Sequence, residues 1–292
     1  MRAREANVAR GKYWDRPWGL VEGCTPVSEG CDHCWARAMD ARFYGQQFVP
    51  RFRDEHLDIP LRRRVPTVFA VWNDLLHECV TPHQIHGAFG VMKERPEHTF
   101  LILTKRAERL PLCAEAWAYH FMGSEALRRI WLGVTVESAG HLDRLDALLR
   151  VPAAVRWVSL EPLLGPVDIL RYTESGLECS VCNWRGCESD TDGCHFSDVG
   201  EELWACPECD EPCTHTPQAE GLDWVVVGCE SGPHRRPAPW AWIRSVVDQC
   251  TEARVPVFVK QVGANPDGTG PVRRRFDRMP AWARRREVPK ES

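Results

Sequence analysis

Short apolar runs rich in β-branched and aromatic residues recur along this chain, and each stops at an ionisable or amide side chain. Six runs read as strands: Thr67–Trp72, Thr99–Thr104, Ile130–Val136, Val155–Leu160, Trp224–Val227 and Val257–Lys260. Their near-continuous Val, Ile, Leu and Phe content suits strands covered on both faces, the condition of a parallel sheet wrapped by helices. Between them Pro82–Glu94, Ala139–Arg150 and Pro239–Ala253 have helix-compatible spacing. Two of these open on a proline, which suits a first helical turn. A short first strand is expected just before Cys24, which brings the count to about seven βα units. The predicted fold is therefore α/β: a TIM-type (β/α) barrel, complete or partial.

The strand ends read Trp72-Asn73-Asp74, Thr104-Lys105-Arg106, Val136-Glu137-Ser138, Leu160-Glu161-Pro162, Gly228-Cys229-Glu230 and Lys260-Gln261. In a parallel barrel such ends converge on one mouth, the face where sites are built, so they are expected to line one pocket. Loop polarity alone also puts polar groups at strand ends, but six polar endings after six apolar strands exceed what it requires.

The chain has 292 residues, 43% hydrophobic and 27% charged, enough for a large core. Its net charge of −4 excludes a global basic field, and the arginines at 273–275, 278 and 284–286 are a local signal only. No membrane-length apolar run and no signal-like start are present, so a cytoplasmic protein with no membrane partner is expected. In that compartment the fourteen cysteines read as reduced thiols.

Two cysteine groups carry ligand spacing. Cys24, Cys31 and Cys34 sit in a turn-rich loop with Gly23 and Gly30, which free the backbone to wrap a bulky group. Three thiolates would leave one iron of a [4Fe-4S] cluster open to a further ligand. Zinc, with His33, His56 or His77 as fourth ligand, is the alternative. In the second group Cys179-x-x-Cys182 and Cys206-x-x-Cys209 have the geometry of a four-thiolate zinc site. An auxiliary cluster or free thiols also fit, and Cys187, Cys194, His195, Cys213 and His215 are spare ligands. The expected organisation is a first barrel part over 1–176 with the three-cysteine loop, a cysteine-rich zinc-knuckle insertion over 177–216, and the last barrel part with a basic tail over 217–292. Cys79, Cys113 and Cys250 lack ligand spacing and read as packing residues, as do Trp131, Trp157 and Trp224 in or at the apolar strands.

Cys24-x6-Cys31-x2-Cys34, Leu103-Thr104-Lys105-Arg106, Gly133-Val134-Thr135-Val136-Glu137-Ser138, Ser159-Leu160-Glu161-Pro162, Gly228-Cys229-Glu230-Ser231-Gly232 and Phe258-Val259-Lys260-Gln261 together resemble a phage-associated family of uncharacterised three-cysteine proteins. That family is similar to a divergent branch of the radical S-adenosylmethionine (SAM) enzymes. The spacing departs from the usual signature: six residues separate the first two cysteines, and His33 stands where an aromatic precedes the third.

The resemblance implies a cluster on Cys24, Cys31 and Cys34, SAM on the open iron, an electron donor as partner, and reductive cleavage of SAM. The reaction would modify or repair a nucleic-acid base or nucleotide. It further implies that Glu137, Asn73 and Asp74 bind the cofactor and that Glu161, Lys105, Glu230 and Lys260 are catalytic. An ion-pair network across the barrel top is an equal reading for Lys105 with Glu137 or Glu161. The alternative from another class is a non-catalytic, metal-stabilised nucleic-acid-binding or adaptor protein.

Overall fold

The computed structural model describes residues 2–289, apart from 44, 46–47, 122–128, 174–176, 180–184, 187–193, 197–201, 206–211, 216–220 and 233; for the strands between 177 and 215 it describes the backbone only. The strands are β1 (Arg16–Trp18), β2 (Val21–Glu22), β3 (Arg51–Phe52), β4 (Val68–Val71), β5 (Thr99–Thr104), β6 (Ile130–Thr135), β7 (Val155–Leu160), β8 (Leu177–Cys179), β9 (Arg185–Gly186), β10 (Cys194–Phe196), β11 (Glu202–Ala205), β12 (Pro212–His215), β13 (Trp224–Gly228) and β14 (Val257–Gln261). The helices are α1 (Arg2–Ala9), α2 (Trp35–Phe43), α3 (Pro82–Glu94), α4 (Leu110–Phe121), α5 (Asp143–Leu149) and α6 (Trp240–Glu252).

Seven strands form one parallel sheet in the order β1-β4-β5-β6-β7-β13-β14. Every residue of β4, β6 and β13 is buried, because helices cover one face and a curled interior the other. Helix α3 starts where the sequence allows it best: the Thr81 hydroxyl accepts from the Gln84 amide, Gln84 Oε1 accepts from the Thr81 amide, and Pro82 occupies the first turn.

Of the complete or partial barrel expected, the structure has the partial form, an open, curled half-barrel; closure is corrected, because β1 and β14 are edges that do not pair with each other. The first strand is β1, only three residues long and centred on Pro17, whereas Val21–Glu22, nearer Cys24, pairs antiparallel with β3 outside the main sheet. Chain outside the strands fills the space that closure would have enclosed. Tyr13 inserts its ring edge-on against Trp157, Trp224 and Phe258 at centroid distances of 5.9, 5.2 and 5.4 Å. The C-terminal segment lies along β14, with Val259 N–H donating to Arg285 O and Glu287 N–H to Val257 O. Trp224 Nε1 donates to Glu287 O, so the tail also ties to the interior aromatic cluster. The β14 edge of the curl is thereby blunted without a further strand.

Gly133 on β6 is required by this interior. It pairs in register with Trp157, and a Cβ there would stand 2.5 Å from the Trp157 ring. The indole lies flat across the glycine.

Strands β8–β12 form a separate five-stranded antiparallel sheet in the order β10-β11-β12-β8-β9. The ligands of the zinc knuckle expected there fall outside the described residues, and among the described residues no metal-binding group is present. Cys182, Cys206 and Cys209 lie outside the described residues, as does the side chain of Cys179. No helix among the described residues is long and apolar enough to cross a membrane.

Candidate functional site

A cavity of about 710 Å³ opens at the C-terminal ends of the parallel strands. That volume suits an organic ligand of ordinary size. Its floor is the apolar interior, including Ala70, Leu101, Leu103 and Trp157. One wall is aromatic: Trp72 meets Trp14 and Trp35 edge-to-face at 5.4 and 5.2 Å, and the Lys12 ammonium sits 3.8 Å above the Trp14 ring. Cys24, Cys31, Cys34, Asn73, Asp74, Lys105, Glu161, Glu230 and Lys260 line it, and Glu137 lies fully buried behind that surface.

Three buried charged residues, each just beyond a strand, hold the loop from Cys24 to Cys34. After β5, the Arg106 guanidinium is 2% exposed and donates to Asp74 Oδ2 (2.9 Å), Glu78 Oε1 (2.8 Å), Thr25 O (3.1 Å) and Thr25 Oγ1 (2.7 Å). Burial opposes its charge, but the hydrogen bonds and field of Glu78 and Asp74 outweigh that cost and hold it above its ordinary value. Asp74 is occupied on its other side by the Thr104 hydroxyl and the Leu76 amide. Cys79 N–H donates to His77 Nδ1, which leaves Nε2 of the neutral ring to donate to Thr25 Oγ1 at 2.9 Å. Burial, with Arg106 nearby, lowers the pKa of that imidazole and favours the neutral form.

After β6, Glu137 receives the Ser28 hydroxyl at 2.6 Å, Lys105 Nζ at 2.9 Å and Arg144 Nη1 at 2.7 Å. Burial alone would raise its pKa, but Lys105, the Ser28 hydrogen bond and Arg144 together lower it, so the carboxylate is ionised. Gly30 packs on it so closely that a Cβ would lie 2.2 Å from Oε1. Next to it, Ser138 Oγ and His141 Nε2 hold Glu29, whose pKa falls to about 2, chiefly through the His141 hydrogen bond.

After β13, Glu230 binds His33 Nδ1 at 2.8 Å and is clamped by Arg236 through its backbone N–H (2.7 Å) and Nη2 (2.8 Å). Burial is again outweighed by these hydrogen bonds, and its pKa is lowered. Arg236 also reaches Asp32 at 3.3 Å.

The opposite side of the cavity has its own polar group. Lys260 Nζ contacts Glu161 Oε2 at 2.6 Å, and Gln261 Nε2 donates to Glu161 Oε1 at 2.9 Å and to Cys229 O at 2.6 Å. Arg274 Nε donates to Gln261 Oε1 at 3.1 Å. None of these hydrogen bonds involves the 24–34 loop. Cys229 is buried, and burial pushes its thiol up to about 11. Asn73, with a left-handed φ of 56°, spends its side-chain amide on Val21 O at 2.7 Å.

Sequence reasoning quoted Arg106 but gave the role at that strand end to Lys105, and it did not assign His33 to Glu230, a pair 197 residues apart. The signal for Arg106 was its place two residues past an apolar strand, where a long cation either reaches solvent or turns inward to carboxylates.

Cys24, Cys31 and Cys34 are free and half-buried. Cys24 Sγ lies 3.7 Å from the Arg106 guanidinium, and Cys31 Sγ 3.9 Å from the Ser28 hydroxyl. Burial raises the Cys24 pKa against the pull of Arg106. Among the described residues no three His, Cys, Asp or Glu side chains are grouped so as to hold a metal ion, so the residues do not fit the expected cluster or zinc. The [4Fe-4S] cluster, zinc, SAM, the electron donor and reductive radical chemistry are all corrected on that ground. The nucleic-acid or nucleotide substrate, inferred from the same resemblance, goes with them, and so does the adaptor alternative built on structural metal.

The fold and site define an α/β half-barrel protein with a ligand-sized cavity at the C-terminal mouth of its parallel sheet. The chain belongs to DUF5131, a family of proteins of unknown function, whose model matches residues 9–285. The resemblance to a radical SAM branch is corrected accordingly: membership is in a family without an assigned activity. No curated protein and no solved structure gives a significant match.

Proposed function

We propose that this protein binds a small organic anion with a flat apolar body, seated on the tryptophan wall, its anionic group held by Lys260, Arg274 and Gln261. The observation that supports this most is the division of labour among the charged groups. Arg106, Glu137 and Glu230 are consumed in holding the 24–34 loop, whereas Lys260, Glu161, Gln261 and Arg274 face the cavity and bind one another, with one further hydrogen bond from Gln261 to Cys229 O. The lining also carries two cations, Lys12 and Arg274, that make no ion pair among the described residues, which favours an incoming negative charge.

Lys260 is 31% exposed and Glu161 16%, so the pair is reachable, and a ligand carboxylate can take over the ammonium without leaving a deeply buried charge unpaired. In this reading Lys260 and Arg274 bind the ligand, Glu161 orients Lys260, and Lys105, Glu137, Asp74 and Glu230 position the wall. The test is titration of the full chain with anilinonaphthalene sulfonate, an anionic aromatic probe, followed by tryptophan and probe fluorescence. Saturable binding at one site that Lys260→Ala weakens supports the proposal. Binding that ignores Lys260→Ala and Arg274→Ala refutes it.

A further inference from the structure

Arg286 lies behind the part of the cavity wall that carries Lys260 and Arg274. It stands opposite Phe258 in an antiparallel bridge, and its guanidinium lies over the Phe258 ring at 4.7 Å. Nη2 donates to Lys260 O at 3.0 Å and to Arg274 O at 2.8 Å, so one cation fastens the backbone of both residues assigned to the anion. Nε and Nη1 are buried and have no hydrogen-bond partner. Nη1 is next to Gly11, which lines the cavity: a Cβ on Gly11 would stand 2.8 Å from Nη1 and 2.9 Å from Lys260 O. With a left-handed φ of 82°, Gly11 passes bare backbone close over both groups.

No carboxylate among the described residues answers this charge. The neighbouring Glu287 is taken by Arg285, and burial lowers the Arg286 pKa to about 10 with no acid opposing the shift. The guanidinium is still charged at neutral pH, and a charge withdrawn from water without a counter-charge is destabilising. Its neighbours supply none. Arg274 makes no ion pair among the described residues and spends Nε on Gln261, while Lys260 has Glu161. Three cations gathered about one carboxylate leave two positive charges on this side of the cavity.

The geometry points to a ligand whose anionic group is a dianion, a phosphate monoester, with Arg286 as the buried positioning residue that its second charge answers. This rests on the anion-binding reading above and narrows it. A carboxylate or sulfonate brings one negative charge to a group that is short of two, whereas a phosphate monoester brings nearly two above pH 7. Because Arg286 is shielded from water, salt weakens its field less than that of the exposed Arg274.

The test titrates the full chain at pH 8 with 1-naphthyl phosphate and 1-naphthyl sulfate, one flat body carrying a dianion or a monoanion, by isothermal calorimetry. The phosphate is expected to bind at least about tenfold more tightly than the sulfate. Arg286→Met should bring that ratio near one, and Arg286→Lys, which keeps the charge, should restore most of it. The ratio cancels any change of shape that affects both probes alike. Equal affinities in the parent chain overturn the inference, as does a preference that Arg286→Met leaves intact. In either case the anion-binding reading still stands if Lys260→Ala weakens anilinonaphthalene sulfonate. If every probe binds regardless of Lys260→Ala and Arg274→Ala, that reading falls and this inference with it.

Discussion

The Glu137 carboxylate accepts the Ser28 hydroxyl at 2.6 Å across 109 residues of chain, and in doing so fixes the cysteine-bearing loop to the end of β6. Lys105 and Arg144 neutralise the same carboxylate from its other sides, so one fully buried charge joins a loop, two strand ends and α5. Glu137→Gln keeps the shape but leaves two cations short of a counter-charge. A loss of about 3 kcal/mol is expected, since breaking a buried pair strands its partners. Urea unfolding at neutral pH measures it, and Ser28→Ala should cost only about 1 kcal/mol.

The same carboxylate sets a pH dependence. Glu137 and Glu230 both have folded pKa values below the ordinary 4.5, so the unfolded chain takes up their protons first as pH falls. Their contribution is fully present above that value and is lost as pH drops through the depressed folded values. Urea midpoints measured from pH 7 down to pH 3 should therefore fall less steeply for Glu137→Gln than for the parent chain. Parallel curves would show that Glu137 is not linked to folding.

Gly133→Ala tests the interior. The new methyl would meet the Trp157 ring at 2.5 Å, and the indole is hemmed in by Tyr13 and Trp224. A loss of about 1–3 kcal/mol is expected, with a change in near-ultraviolet circular dichroism from the displaced tryptophan. Paired replacement with Trp157→Phe should recover part of it.

Much of this architecture was legible in the sequence. The strands Thr99–Thr104 and Val155–Leu160 and the helix Pro82–Glu94 occur with the bounds their patterns predict, because apolar runs with clear punctuation leave little choice. Closure was not legible. It turns on whether edge strands pair, and Tyr13 and the 285–287 segment, which fill the gap, carry no strand pattern. The partners of the polar strand ends were equally hidden. Glu230 and His33 meet only after folding, and nothing local separates a carboxylate facing a cavity from one that clamps a loop. The cysteine spacing misled for a related reason: sequence separation constrains which thiols can reach one ion, but it does not bring them together.

Thiol reactivity offers a test of burial that is independent of ligand. Cys113 and Cys250 are fully buried, and burial pushes both thiols up to about 12. Cys229 is likewise buried and pushed up to about 11. Cys79 is exposed. Brief alkylation of the native protein at pH 7.5, read by peptide mass spectrometry, should label Cys79 and leave Cys113, Cys229 and Cys250 unlabelled until denaturant is added.

Lys260 separates stability from binding. Its pair with Glu161 is partly exposed, so solvent already screens the interaction and its removal should change stability by less than about 1 kcal/mol. Ligand affinity is expected to respond differently, because the ammonium has a cavity in front of it and Gln261 and Arg274 beside it. Lys260→Ala should therefore lower the affinity for anilinonaphthalene sulfonate by about tenfold, equivalent to one charge-assisted contact, while the urea midpoint stays near that of the parent chain. Glu161→Gln should act in the opposite sense. It frees the ammonium from its carboxylate, so binding of the anionic probe should tighten, most clearly at low ionic strength. If both variants weaken binding and lower the urea midpoint together, the Lys260–Glu161 pair is a structural strut and the anion must be sought elsewhere in the cavity.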